Sequence, residues 1–105
     1  MKPKQTGWAR IKTWDGPLKR VPAYGRSRHF VITPCQEGLP GWYSVTHTRT
    51  GYLAVRGVRI RVARRAMTAL ENLDGVRWTF RDVSAFRPED GKLAGPVARK
   101  FEAMR

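Results

Sequence analysis

The chain has 105 residues, 41% of them hydrophobic and 28% charged, and a formal charge of +13 from 21 Lys and Arg against 8 Asp and Glu. That length and apolar content suit one compact domain and argue against global disorder. No apolar run approaches the roughly 20 residues that span a bilayer, and no apolar signal core follows the first lysines, so the expected location is cytoplasmic, with no membrane contact.

Fifteen of the 21 basic residues are arginine, whose planar fork suits phosphate and whose face stacks on bases. Residues 1–65 hold 14 basic and 2 acidic side chains, net +12, whereas residues 66–105 hold 7 and 6, net +1. So one-sided a field points to an anionic polymer or surface as partner. Cys35 is the single cysteine, which excludes an internal disulfide, and no Cys/His spacing suits structural zinc. Cys35 reads as a small, half-buried apolar residue.

Residues 1–7 carry Lys2 and Lys4 without an apolar pattern and predict a flexible basic arm. Residues 8–105 form the single domain. Residues 8–12 predict a strand with Arg10 and Lys12 on one face, and Asp15, Gly16 and Pro17 predict a turn. Residues 18–24, with Lys19, Arg20 and Pro22, read as a loop with at most a short strand, because proline is unsuited to a central strand. Residues 29–33 are β-branched and aromatic and predict a strand. Residues 34–40, with two prolines, predict a loop.

Residues 42–48 alternate with period two. Tyr43, Val45 and His47 point one way; Trp42, Ser44, Thr46 and Thr48 point the other, a face polar enough to meet solvent or a groove. Arg49, Thr50 and Gly51 predict a hairpin turn with glycine left-handed, and residues 52–55 the return strand. A second turn is expected at Arg56 and Gly57. A short third strand should follow, with Val58 and Ile60 alternating with Arg59 and Arg61.

A helix is predicted from about Val62, with Ala63, Ala66, Met67, Leu70 and Leu73 as its apolar stripe and Gly75 as its cap. Arg61, Arg65, Thr68 and Asn72 fall on its opposite face, with Arg64 beside them. Residues 76–83 predict a further strand with Val76, Trp78 and Phe80 inward, and residues 86–92 a loop. Pro96 then opens a helix that docks through Leu93, Val97, Phe101 and Met104. The predicted fold class is α+β: a small antiparallel sheet packed on one main helix, closed by a short C-terminal helix.

No Walker-type loop or dinucleotide fingerprint occurs, so no cofactor and no metal are expected. Glu89 and Asp90 are adjacent but lie in the expected Pro/Gly loop, where a solvated turn is read ahead of a metal pair. His47, near Tyr43, Arg49 and Tyr52, offers a general base for a metal-independent ribonuclease. Binding without catalysis needs fewer assumptions. Arg49, Arg56, Arg59, Arg61, Arg64 and Arg65 lie within 17 residues, and such phosphate contacts supply salt-dependent affinity. Trp42 and Tyr43 stand beside them, to stack on an unpaired base or to pack the core. Arg10, Lys12, Lys19 and Arg20 extend the field.

The run from Trp42 through Gly51, followed by a short strand and a helix opening Arg64, Arg65, Ala66, Met67, resembles the sheet-then-helix plan of AP2-type and integrase arm-binding DNA-binding modules. It is also similar to small phage and plasmid proteins. The similarity covers residues 41–73; where the plan places an aromatic before the helix, this chain has Ile60. The resemblance implies a sheet that reads DNA, with Arg49, Arg56 and Arg59 in contact, and a phage or mobile-element origin. The expected function is therefore non-enzymatic nucleic-acid binding, DNA favoured over RNA. The alternative is a small phage-type protein that binds and modulates a host protein complex; the ribonuclease stands third.

Overall fold

The structure is a computed structural model that describes residues 3–12, 16–36 and 40–104. Expectations for residues 1–2, 13–15, 37–39 and 105, including the acids Asp15 and Glu37, fall outside the described residues. Five strands precede two helices: β1 (Gly7–Ile11), β2 (Lys19–Ala23), β3 (Phe30–Pro34), β4 (Tyr43–His47), β5 (Leu53–Val58), α1 (Ile60–Glu71), a 3₁₀ turn (Val83–Ala85) and α2 (Pro88–Met104). The chain is thus mixed, with two antiparallel sheets, one of order β1–β2 and one of order β3–β4–β5.

β3 explains how these parts stack. Phe30, Val31 and Ile32 are fully buried and Thr33 is nearly so. A strand that is apolar on both faces is covered on both faces. Phe30 and Ile32 join Val45, Val55 and Val58 against Ala63, Ala66, Met67 and Leu70 of α1, and against Ala94 and Phe101 of α2. Val31 points the other way, into a second cluster with Ala9, Ile11, Val21 and Ala23 of β1 and β2. The three-stranded sheet therefore carries helices on one face and the two-stranded sheet on the other. Ser44 and Thr46, on the face expected to be open, are only 4% and 2% exposed.

Gly51 holds this second layer in place. Its φ of 76° suits the left-handed position of the β4–β5 turn. Its carbonyl accepts the Lys12 N–H at 2.8 Å, so β1 lies directly over the turn. A Cβ here would stand 3.1 Å from Lys12 N and 3.2 Å from Arg10 O. At the other end, Tyr24 N–H donates to Ile32 O and Ile32 N–H to Gly25 O, both at 2.8 Å, tying the exit of β2 to β3.

Several expectations are corrected. Residues 18–24 contain a full strand, β2, in which Pro22 lies opposite Trp8; each strand of a two-stranded sheet keeps an edge without a ladder, so proline is accommodated. The ladder also reaches back into the expected arm, since Thr6 N–H donates to Ala23 O at 2.8 Å. The turn at Arg56 and Gly57 does not form. Gly57, at φ 60°, lets β5 bulge and run on until Val58 pairs with Tyr43. No strand follows: α1 starts at Ile60, with Arg59 extended as its N-cap, and the third strand of the sheet is β3. The stripe predicted for α1 is the buried one, Ala63, Ala66, Met67 and Leu70.

Residues 76–80 keep the predicted inward alternation, with Trp78 buried and Val76 and Phe80 packed beside it, but they join no sheet. Side chains take the place of a ladder. Trp78 Nε1–H donates to Leu70 O at 2.8 Å, and Arg49 donates to Thr79 O at 3.0 Å. The C-terminal helix is not short: at 17 residues it exceeds the 12 of α1. It starts at Pro88 because that proline fits a first helical position and Asp90 reaches back to the Arg87 N–H at 3.2 Å. Asp90 also takes the Arg87 guanidinium at 3.1 and 2.9 Å and is 2% exposed, so it is not part of a solvated turn. Pro96 sits inside α2. It removes the N–H that would bond the Lys92 carbonyl, and both residues lie on the exposed side. Of the residues expected to dock the helix, Phe101 is buried and Val97 packs against the core, whereas Leu93 and Met104 are each 43% exposed; Ala94 joins the docking face. No helix among the described residues is long and apolar enough to cross a membrane.

Candidate nucleic-acid interface

The two-stranded sheet buries alternate residues, so its other residues must face out. Ala9 and Ile11 of β1, with Val21 and Ala23 of β2, fill the second core. Trp8 and Arg10 of β1 and Arg20 of β2 are left on the outer face. Arg10 stands directly opposite Arg20, and Trp8 opposite Pro22. Arg20 is thus the diagonal neighbour of Trp8, and its guanidinium carbon lies 4.1 Å from the centroid of the Trp8 ring. Trp8 remains 49% exposed. Arg26 donates from its guanidinium to the Trp8 carbonyl, adding a third cation.

This face costs stability in isolation. Like charges directly opposite on a ladder repel, and the described residues before Glu71 contain no carboxylate to relieve Arg10 and Arg20. Cation–π stacking orients Arg20 but does not neutralise it.

A second basic group surrounds the start of α1. Arg59 caps the helix without a side-chain cap bond, and the first turn holds no acid. Its guanidinium carbon lies 4.1 Å from the ring centroid of the half-buried Trp42. Arg61, Arg64 and Arg65 are exposed along the helix's outer face. Cations in this half of a helix oppose its macrodipole, which favours negative charge near the N-terminus. Tyr43 is not an exposed partner of this group. It meets Tyr24 edge-on at 5.3 Å and packs against the core, and burial, with Tyr24 adding to it, raises its hydroxyl pKa above 10.0.

The twelve residues expected to bind therefore separate. Arg10 and Arg20 share the outer face of β1–β2. Arg59, Arg61, Arg64 and Arg65 belong to α1, on the opposite face of the three-stranded sheet. Arg56 does neither: it lines a groove with Lys12 and Lys19, between the two-stranded sheet and the β4–β5 hairpin. Arg49 stands apart at the turn, held by Thr79 O. Trp8 was not among the expected contacts, although its parity with Arg10 on one strand marks it.

The histidines and acids have structural uses. His47 is 3% exposed and stacks on Phe80 at 4.3 Å. Its Nε2–H donates to Trp78 O at 2.7 Å, and its Nδ1 accepts from Thr50 Oγ1 at 2.9 Å. Burial lowers its pKa from 6.5, and the neighbouring His29 and Arg49 add to the effect against the opposing Trp78 carbonyl and Glu71. Glu71 accepts from Ser27 Oγ at 2.6 Å and from the His29 backbone and Nδ1, each at 2.7 Å. Burial pushes the Glu71 carboxyl up, but these bonds outweigh it and hold the pKa below 4.5. Among the described residues, no three His, Cys, Asp or Glu side chains are grouped to hold a metal ion. The chain matches no protein-family model, no curated protein and no solved structure.

Proposed function

We propose that the protein binds nucleic acid without chemical turnover, with DNA favoured over RNA, and that the outer face of β1–β2 is the primary contact. One observation carries this: Arg10 and Arg20 are held opposite one another beside an exposed Trp8 that Arg20 already overlies. An uncompensated arginine pair is stabilised by an incoming phosphate, and an exposed indole stacks on any unpaired base. The α1 arginines form a second, separate contact surface for phosphate. The preference for DNA draws on the resemblance of residues 41–73. A sheet laid with its polar face in a DNA groove, which that resemblance implies, is not part of the proposal, since Ser44 and Thr46 are only 4% and 2% exposed, at the floor of a cleft. Binding without turnover is supported by His47, whose two ring nitrogens both serve the fold.

The test is equilibrium binding of DNA and RNA, single-stranded and duplex, across a salt series, for the wild type and for Arg10→Ala/Arg20→Ala. Affinity should fall steeply with salt, and the double variant should lower the log–log slope by roughly 1.5, as two lost phosphate contacts require. No binding at low salt, or identical slopes for the two proteins, would rule the proposal out.

A further inference from the structure

The groove that takes Lys12, Lys19 and Arg56 has a volume of about 540 Å³, within the range of roughly 300–1,000 Å³ usual for small-molecule sites. Three features specify what fits it. Its lining is basic: among the described residues none of the three cationic side chains is in an ion pair, Lys12 Nζ donating to Gly16 O and Lys19 Nζ to Gln36 Oε1, although the Arg56 backbone N–H donates to the Glu102 carboxylate at 2.8 Å. An anionic group is therefore the natural occupant of the rim. Its floor holds hydroxyls in different states. Thr33 and Thr46 satisfy each other at 3.2 Å, whereas the Ser44 side chain bonds none of the described residues and lines the groove. A hydroxyl that borders the groove can donate to or accept from a ligand's polar edge. Its walls are apolar, with Ile11 on one side and Leu53 and Tyr52 on the other. Leu53 and Tyr52 are 46% and 41% exposed, enough to cover a flat ring.

An anion at the rim, a flat ring between apolar walls and a polar edge at the floor together describe one nucleotide. The groove opens at the end of the same ladder, on its inner side, opposite the proposed binding face. On the β1–β2 ladder the rung after Arg10 and Arg20 is Ile11 and Lys19, both of which line the groove. We infer that the groove between β1–β2 and the β4–β5 hairpin binds a single nucleotide unit, phosphate at Lys12, Lys19 and Arg56 and base edge at Ser44. Resting on the proposed nucleic-acid function for its source, that nucleotide is an unstacked one from the bound strand.

The experiment titrates ¹⁵N-labelled protein with inorganic phosphate, with a nucleoside 5′-monophosphate and with a single-stranded oligonucleotide, and measures strand and duplex affinities for Ser44→Ala, Lys19→Gln and Arg56→Gln beside Arg10→Ala/Arg20→Ala. Thermal unfolding of each variant establishes that it folds. The mononucleotide should shift the amides of Lys19, Ser44, Leu53 and Arg56. Ser44→Ala should weaken mononucleotide and single-strand binding about five- to tenfold, the size of one hydrogen bond, and leave duplex affinity unchanged. Arg56→Gln should weaken the same two ligands by about tenfold or more through loss of a charge-assisted contact. If phosphate alone reproduces the nucleotide's shifts and affinity, the groove holds an anion and the base site is refuted. If the three groove variants bind single strands like the wild type while Arg10→Ala/Arg20→Ala does not, the groove site is refuted and the nucleic-acid function stands. If no strand binds at low salt but the mononucleotide still shifts the groove, the site is upheld for a free nucleotide and the nucleic-acid function is refuted.

Discussion

The Nε2–H of His47 donates to the carbonyl of Trp78 at 2.7 Å and so joins β4 to a segment that has no ladder of its own. The carbonyl can only accept, so this nitrogen carries the proton and the Thr50 hydroxyl supplies the other bond. Charging the ring would cost the acceptor role of Nδ1 within a buried aromatic cluster of Phe30, Trp78 and Phe80.

That relationship sets a pH dependence. Burial depresses the folded-state pKa of His47 below its ordinary 6.5, so the unfolded chain binds the proton first. The stabilisation is complete above about pH 6.5 and is lost as pH falls from there toward the lowered value. Urea midpoints measured from pH 8 to pH 5 should decline for the wild type over this window. His47→Gln keeps a donor and an acceptor but cannot charge, so its curve should be flatter there; parallel curves would refute the assignment.

Gly51 should not tolerate a side chain. Gly51→Ala adds a Cβ at φ 76° within 3.2 Å of two backbone atoms, Arg10 O in β1 and Lys12 N just past it, and 2.8 Å from Leu18 Cδ2. Backbone cannot yield as a side-chain end does, so the loss should exceed the roughly 1–2 kcal/mol that the left-handed conformation costs by itself. Gly57→Ala has a similar φ of 60° but meets only Cys35 Sγ, at 3.9 Å, and pays only the conformational cost of roughly 1–2 kcal/mol. Chemical denaturation ranks the two, and hydrogen exchange should show faster exchange at the Lys12 amide in Gly51→Ala alone.

Thr48 carries a buried Oγ1 with no hydrogen-bond partner among the described residues. Thr48→Val keeps the shape and removes the unpaired polar group. Stability should be unchanged or rise by up to about 1 kcal/mol. A measured loss would mean that the hydroxyl has a use in the folded protein.

The outer face of β1–β2 makes binding and stability separable. Trp8→Ala removes a ring that is 49% exposed, so stability should shift by about 0.5 kcal/mol or less. Single-strand affinity should fall by about 1–3 kcal/mol, the worth of one stacked base. Unchanged affinity would place the contact elsewhere, and Arg61→Ala/Arg64→Ala/Arg65→Ala would then test the face of α1.

Local pattern was enough for α1, whose stripe of Ala63, Ala66, Met67 and Leu70 recurs with the helical period. It was enough for β3, β4 and the turn at Gly51, because alternation and a left-handed glycine are properties of neighbours in the chain. It also showed that Val76, Trp78 and Phe80 turn inward. It could not show that they do so without a ladder, since an extended segment alternates whether or not a second strand lies beside it. The early start of α2 was missed because Pro88 to Gly91 read as breakers. In the fold, Asp90 caps Arg87 and the proline supplies a first turn.

What the sequence by itself determined is the one-sided charge and the period of each element. What only the tertiary structure decided is which faces are covered. The polar face of β4 is buried because β1 and β2 return across it, and the six arginines between Arg49 and Arg65 are divided because a strand, a bulge and a helix start point them to different sides. Charge is a property of composition and periodicity of the local backbone; proximity between distant segments depends on what packs against what.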